Sequence, residues 1–300
     1  MKLAPIGVLT YSRIDHLKKT IEALKANILA KESDLYVFLD APKKGDEVIV
    51  GRVREYAHSI TGFKTINIIE RKENNRLKNY FDGASYLLNK YGKMIFLEDD
   101  NVVSAYFLKY MNTALEFYKE NKKIIAISGY NLLVKPYFEY NHSYYLSIYF
   151  NAWGYATWLD RGSLEVEKYR NQYNEMMSDR VLYNKVKKAH PGLIKGLKRI
   201  HDGNLDAGDY KLVFHQIKND LYVVKPIQSF VNNIGFDGSG VHCGISDKYT
   251  NIELNKDKIK FIKGLEYNKE IDRFYFKQAT KNENIFKRIR QKFLKIIKAL

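Results

Sequence analysis

Three carboxylates stand in a row at Glu98-Asp99-Asp100, directly after the apolar run Lys93–Leu97. Like charges so close repel, and burial beside a strand makes each one costly. A divalent cation offsets that cost by taking the oxygens as ligands, and could also grip a diphosphate and neutralise it as it leaves. The other reading is a solvated turn before a helix, where acidic residues are also favoured, with Ser104 as the cap. A second pair, Asp206 and Asp209 in GNLDAGDYKLVF, is spaced to share one face at a helix start. Either could act as a general base, and Asp206 could equally be an N-cap. His242 lies in the glycine-rich GSGVHCG, where backbone can approach a ligand closely, so it is a candidate metal or phosphate contact. Its alternative is a loop histidine without a role.

The elements that must position these groups alternate. Leu3–Thr10 reads as a buried strand, followed by Ser12-Arg-Ile-Asp15 with capping-box spacing and a helix carrying Ile14, Leu17, Ile21, Leu24 and Ile28. Strands are expected at Leu35–Asp40, Thr65–Ile69, Lys93–Leu97 and a fifth at Ile124–Ser128. Helices are expected at about Asp46–Ser59, Asp82–Tyr91 and Phe107–Tyr118. This order predicts an α/β fold with a mostly parallel sheet flanked by helices, whose ligands sit beyond the carboxyl ends of the strands. The residues just after the strands are Thr10 to Arg13, Asp40, Glu70 to Asn79, and Glu98 to Asp100. The second half is less regular. It has an aromatic stretch from Tyr137 to Trp158, a basic helical region from about Asp179 to Arg199, and a Gly/Asn-rich segment from Asn232 to Gly244.

At this point the chain resembles the GT-A (Rossmann-like) nucleotide-sugar glycosyltransferases, near the bacterial family-2-like enzymes and the N-acetylglucosaminyltransferases. The acidic triplet with IFLEDDNVVSAYFLKYMNTALEFY is similar to their DXD-like metal segment. PIGVLTYSR is similar to their first nucleotide-binding strand and turn. NAWGYATWLDR at 151–161 resembles their aromatic acceptor-side segment, and PIQSFVNNIGFDGSGVH at 226–242 a C-terminal segment ending in Gly-x-His. The resemblance covers residues 3 to 245.

It implies an inverting enzyme that moves a sugar from a nucleoside diphosphate (uridine favoured) to a hydroxyl of a surface glycan such as lipopolysaccharide or capsule. Asp100, with His242, would hold Mn2+ or Mg2+, with Asp99 near the ribose or transferred sugar and Glu98 near the nucleotide. Thr10, Tyr11, Arg13 and Asp40 would line the nucleotide site, and Arg76, Asn79 and Asp82 (in RLKNYFD) a loop approaching the diphosphate. Trp153 and Gly154 would face the acceptor. An aspartate before an aromatic residue is the family's base, which favours Asp209, before Tyr210, over Asp206. The expected division is 1–130 for the donor half, 131–250 for the acceptor half of the same domain, and 251–300 for a C-terminal extension.

Composition bounds these readings. The 300 residues are 45% hydrophobic and 28% charged, enough for a large core and against disorder. With one cysteine, Cys243, no disulfide framework forms within the chain, and a cytoplasmic, reducing setting is expected. The N-terminus reads as a strand rather than a signal peptide, and no apolar run approaches the roughly 20 residues that span a bilayer. The net charge is +16, of which residues 281–300 carry +6. There, apolar residues from Ile285 to Leu300 recur near helical spacing among Lys and Arg. That pattern predicts a basic amphipathic helix on an anionic membrane, placing the protein peripherally on the inner face, near a glycan or lipid-linked glycan acceptor. A non-catalytic module binding nucleic acid or membrane would share the charge. It would leave the ordered carboxylates unexplained, and no nucleic-acid-binding motif is visible, so nucleic acid is not an expected partner. A nucleotidyltransferase would need a glycine-rich phosphate loop that PIGVLTYSR, with one glycine, does not supply.

Overall fold

The computed structural model describes residues 2–132, 134–161, 171–205, 208–239 and 252–280, without the side chain of Asp209. Asp206, His242 and the basic segment 281–300 lie outside the described residues.

The alternation anticipated from the pattern is present. Strand β1 (Ile6–Thr10) leads to helix α1 (Ile14–Lys25), then β2 (Asp34–Leu39), α2 (Glu47–His58), β3 (Thr65–Glu70), α3 (Arg76–Tyr91) and β4 (Lys93–Glu98). A short β5 (Asn101–Val103) precedes α4 (Phe107–Phe117) and β6 (Ile124–Ser128). After β7 (Tyr144–Ser147) and β8 (Tyr155–Trp158) come four helices, α5 (Gln172–Ser178), α6 (Arg180–Ala189), α7 (Pro191–His201) and α8 (Gly208–Asn219). The described residues end with β9 (Tyr222–Pro226), β10 (Val231–Asn233) and α9 (Lys269–Thr280).

Eight strands form one sheet in the order β3-β2-β1-β4-β8-β6-β9-β7. Strands β1 to β4 are parallel, β6 is parallel to β9, and β8 and β7 run antiparallel to their neighbours. The class is therefore α/β with a mostly parallel sheet. The order reverses at β1, which has β2 on one side and β4 on the other. In an open α/β sheet this switch point opens a crevice at the carboxyl ends of the two strands. Both faces are covered. Leu17, Ile21 and Leu24 of α1, Val53 of α2 and Met111 of α4 pack in one core. Ala84, Leu87 and Leu88 of α3 pack with Phe38 and Phe96 in the other. Helices α5 to α8 close their own core around Met176, Val186, Leu197 and Phe214.

Three local expectations are corrected. The Ser12–Asp15 capping box does not form: α1 starts after Arg13, with no side-chain cap, because Arg13 is drawn towards Asp99 and Asp100. Residues 76–82, including Arg76, Asn79 and Asp82, are not a loop but the first turns of α3, capped by Asn75, whose side chain accepts from the Lys78 amide. Ser104 does not cap α4; its Oγ is buried without a partner, and its carbonyl takes the Phe107 amide. The basic region 179–199 is helical as expected, as two helices, broken where Pro191 starts α7 and His190 caps it through Nδ1.

The last described helix is fixed by a buried acid. Asp272 is fully buried and accepts from Ser147 Oγ at 2.6 Å, the Ile148 amide at 3.1 Å and Tyr267 Oη at 3.0 Å. Burial pushes its pKa up to about 6, against those hydrogen bonds and nearby Lys225. A folded-state pKa above the unfolded one stabilises fully below about pH 4, and that contribution is lost as pH rises through about 6. Asp272→Asn lacks this dependence. The unfolding free energy of wild type minus that of the variant, from urea titrations, should fall by up to about 3 kcal/mol between roughly pH 4 and 7. A difference that stays flat or rises with pH would refute the assignment.

Candidate active site

At the carboxyl ends of β1 and β4 the chain gathers Thr10, Arg13, Asp99 and Asp100. Asp99 is 3% exposed and Asp100 5%, so both carboxylates sit in the crevice nearly cut off from water. Thr10 Oγ1 donates to Asp99 Oδ2 at 2.9 Å. The Arg13 guanidinium bridges the pair, donating to Asp99 Oδ1 and, at 2.8 Å, to Asp100 Oδ2. Asn101 Nδ2 donates to Asp100 Oδ1 at 2.8 Å, and Thr20 Oγ1 fixes the Asp99 carbonyl at 2.8 Å. Burial lowers the Arg13 pKa, but Asp99 and Asp100 raise it by more, and the guanidinium stays charged. Burial raises the Asp99 pKa, with Arg13 opposing and Asp100 adding to the rise.

The third carboxylate is apart from this pair. Glu98 ends β4 and meets Arg76 Nη1 at 3.3 Å, at the start of α3. Asp40, one residue past β2, accepts the Ala41 and Asn75 amides through Oδ1, both at 3.0 Å, and so ties the turn before α3 to the strand ends. Tyr11 donates its hydroxyl to Asp46 and accepts the Lys43 amide at 2.9 Å. Asn79 is 1% exposed, and neither atom of its amide has a partner. Asp82 is on the outer side of α3, exposed and paired with Arg71 at 2.6 Å and Lys78 at 2.9 Å; it is not brought to the acidic pair.

A distant segment covers the site. Strand β10 pairs antiparallel with β5, and the Ile234 amide continues the ladder to the Asp100 carbonyl at 2.9 Å. This places Gly235 so close that a Cβ there would lie 2.2 Å from Asp100 Oδ2 and 3.1 Å from Arg13 Nη1. Only glycine fits that approach. Phe236 then meets the Trp153 ring edge-on at 5.3 Å, and Trp153 meets Tyr130 at 4.6 Å. Gly154 takes φ +64° and its carbonyl accepts the Gly129 amide, bringing the Trp153 turn against the end of β6. Trp158 points instead into the core, with the Arg161 guanidinium 4.1 Å from its ring. Arg161 in turn donates to the carbonyls of Tyr118, Asn121 and Ile124.

Asp209 is in the first turn of α8. Tyr210 beside it lies against Gly196 of α7, where a Cβ would come within 2.4 Å of the ring. Sequence reasoning did not single out Asn101, Thr20, Gly235 or the contact of His16 with Asp237 at 3.2 Å. A polar Thr20 on the apolar face of α1 and the glycine pattern of 235–240 were the available signals.

Among the described residues, no three His, Cys, Asp or Glu side chains are grouped to hold a metal ion. The charge balance still fits one: a single guanidinium faces two buried carboxylates, leaving one formal negative charge uncompensated. Hard carboxylate oxygens suit Mg2+ or Mn2+.

No family model and no curated protein matches the sequence. Among solved structures, the chain is similar to residues 1–349 of TarS from S. aureus in complex with UDP-GlcNAc. The identity is 13% and the TM-score 0.40, over 77% of this chain and 58% of that one. It is similar to the mannosyltransferase PcManGT from Pyrobaculum calidifontis, in complex with GDP-Man and Mn2+, at 13% identity and TM-score 0.37, over 70% and 67%. It is also similar to a cytidylyltransferase from Leptospira borgpetersenii at 15% identity and TM-score 0.36, over 66% and 73%. The chain thus spans less than two thirds of the TarS fragment.

Removing Arg13 leaves two buried carboxylates without a counter-charge. Arg13→Ala should cost about 3–5 kcal/mol in urea unfolding, and adding Asp99→Asn should restore part of that loss. Additive losses in the double variant would show that the pair is not coupled as described.

Proposed function

We propose that this chain is a glycosyltransferase that moves a sugar from a nucleoside diphosphate, uridine favoured, to a hydroxyl of a cell-surface glycan acceptor. The observation that carries this reading is the buried Asp99–Asp100 pair at the switch point of the sheet, bridged by Arg13 and covered by Gly235. A crevice there takes a nucleotide, and the residues around it suit the parts of one. Asp40 and Tyr11 offer contacts for base and ribose, Thr10 and Asp99 for ribose or sugar, and the unpartnered Asn79 amide for the diphosphate. Arg76, half-exposed at the start of α3, offers positive charge for the diphosphate, and Trp153 beside Gly154 offers aromatic surface for sugar C–H groups.

A divalent cation held by Asp100, with His242, would supply the further positive charge that a departing diphosphate needs. The acceptor hydroxyl is deprotonated by Asp209, with Asp206 the other candidate. Its oxygen forms the new bond to the anomeric carbon from the face opposite the diphosphate. The bond from that carbon to the phosphate oxygen breaks, and the electron pair leaves with the diphosphate. Inversion follows from a single displacement. The basic segment 281–300 would hold the enzyme on the inner face of the membrane.

Purified protein incubated with Mn2+ and a panel of nucleotide sugars should release nucleoside diphosphate from one of them. Release should vanish in Asp100→Ala and on chelation. No release from any donor, with no metal-dependent nucleotide binding, would sink the enzyme reading in favour of a binding module. Asp209→Asn should lower kcat by about 10²–10⁴-fold while the donor Kd holds. An unchanged kcat would move the base to Asp206 or elsewhere.

A further inference from the structure

Helices α6 and α7 carry an unusual excess of positive charge on their outer faces. On α6, Arg180, Val181, Asn184, Lys187 and Lys188 are exposed, opposite the buried Leu182 and Val186. On α7, Lys195, Lys198 and Arg199 are exposed, opposite Leu193 and Leu197. Lys198 pairs with Asp202, and Lys185 with Asp220. Among the described residues, no carboxylate lies within ion-pair distance of Arg180, Lys187, Lys188, Lys195 or Arg199.

Helix-end chemistry accounts for part of this pattern. Cations are favoured in the last turn, where Lys187, Lys188 and Arg199 sit. It does not account for Arg180, which opens α6 at the positive end of the helix dipole. Nor does it account for Lys195, which faces Arg199 four residues on as a like-charge pair that weakens the helix. Asp179 caps α6, but neither helix has an acidic residue within its first turn. The face is also not purely polar. Val181 is 79% exposed and lies two turns before Lys188 on the same side of α6, and Met177 at the end of α5 is 51% exposed. Apolar side chains set among unpaired cations match a surface that is anionic outside and hydrocarbon beneath.

We infer that the outer faces of α6 and α7 are a docking surface for anionic lipid, separate from the segment 281–300. Tyr210, next to Asp209, packs on Gly196 of α7, so one helix joins this surface to the start of α8. On the proposed reading of Asp209 as base, on which this point alone rests, docking would hold the acceptor-side helices against the membrane that carries the acceptor.

Full-length protein should co-sediment with vesicles of phosphatidylcholine containing about one third phosphatidylglycerol, less well as salt rises, and not with phosphatidylcholine alone. The variant Lys187→Gln/Lys188→Gln/Lys195→Gln/Arg199→Gln, with residues 281–300 intact, should bind at least about tenfold more weakly. Val181→Ser should also weaken binding. The pair Lys195→Gln/Arg199→Gln removes a repulsion within α7, so it should fold at least as well as wild type and still lose affinity. Undiminished vesicle binding by these variants overturns the inference. So does equal binding to soluble polyglutamate with no effect of Val181→Ser, which would assign the face to an acidic polymer. Nucleoside diphosphate release without lipid reads the proposed activity separately and should be unchanged in every variant.

Discussion

The fold is organised around one electrostatic requirement: two adjacent carboxylates, nearly closed to water, need positive charge beside them. Arg13 supplies it, and the demand sets local structure over a wide range of sequence. It bends the chain after β1 so that α1 starts late and without a side-chain cap. It recruits Thr10 and Thr20, from the strand before and the helix after that bend, to hold the Asp99 carboxylate and carbonyl. It admits only glycine at position 235, because the covering strand runs against Asp100 itself. A buried charge pair of this kind is weak evidence for stability, since desolvation consumes most of its attraction. Its retention at a switch point fits a site kept for binding.

The first half was readable from the sequence because each element is governed by its own residues. The run LYVFLD and the helical spacing from Ile14 to Leu24 specify strand and helix without distant help, and the acidic triplet falls where a strand ends. What could not be read depended on tertiary partners. Ser12 has capping-box spacing, but Arg13 has a stronger partner 86 residues away. Residues 76–82 are a loop only by the resemblance; in the fold Asn75 caps them as a helix and the Asp40 carboxylate holds the Asn75 amide. The three residues of β5 are too few to carry a pattern and become a strand only by pairing with β10.

The second half shows a different division of labour. Its helices build a core of their own around Met176 and Phe214, while its strands complete the sheet. Buried polar side chains stitch the parts together: Arg161 donates to four carbonyls between the end of α4 and the start of β6, and Asp272 fixes α9 to β7. Hydrophobic patterning locates such helices but does not reveal these polar ties. A lone Asp or Arg in the sequence reads the same whether it is buried or solvated.

The pairing of β5 with β10 also bears on the order in which the protein comes into being. Strands β1 to β4 and their helices occupy the first third of the chain and can associate while the remainder is still being synthesised. The acidic pair, however, is covered by residues made more than a hundred positions later. Until β10 arrives, a nascent chain holds its crevice open and its carboxylates hydrated. Closure of the site is therefore a late event in maturation, and a ribosome stalled before residue 231 would carry a folded sheet with an unfinished centre.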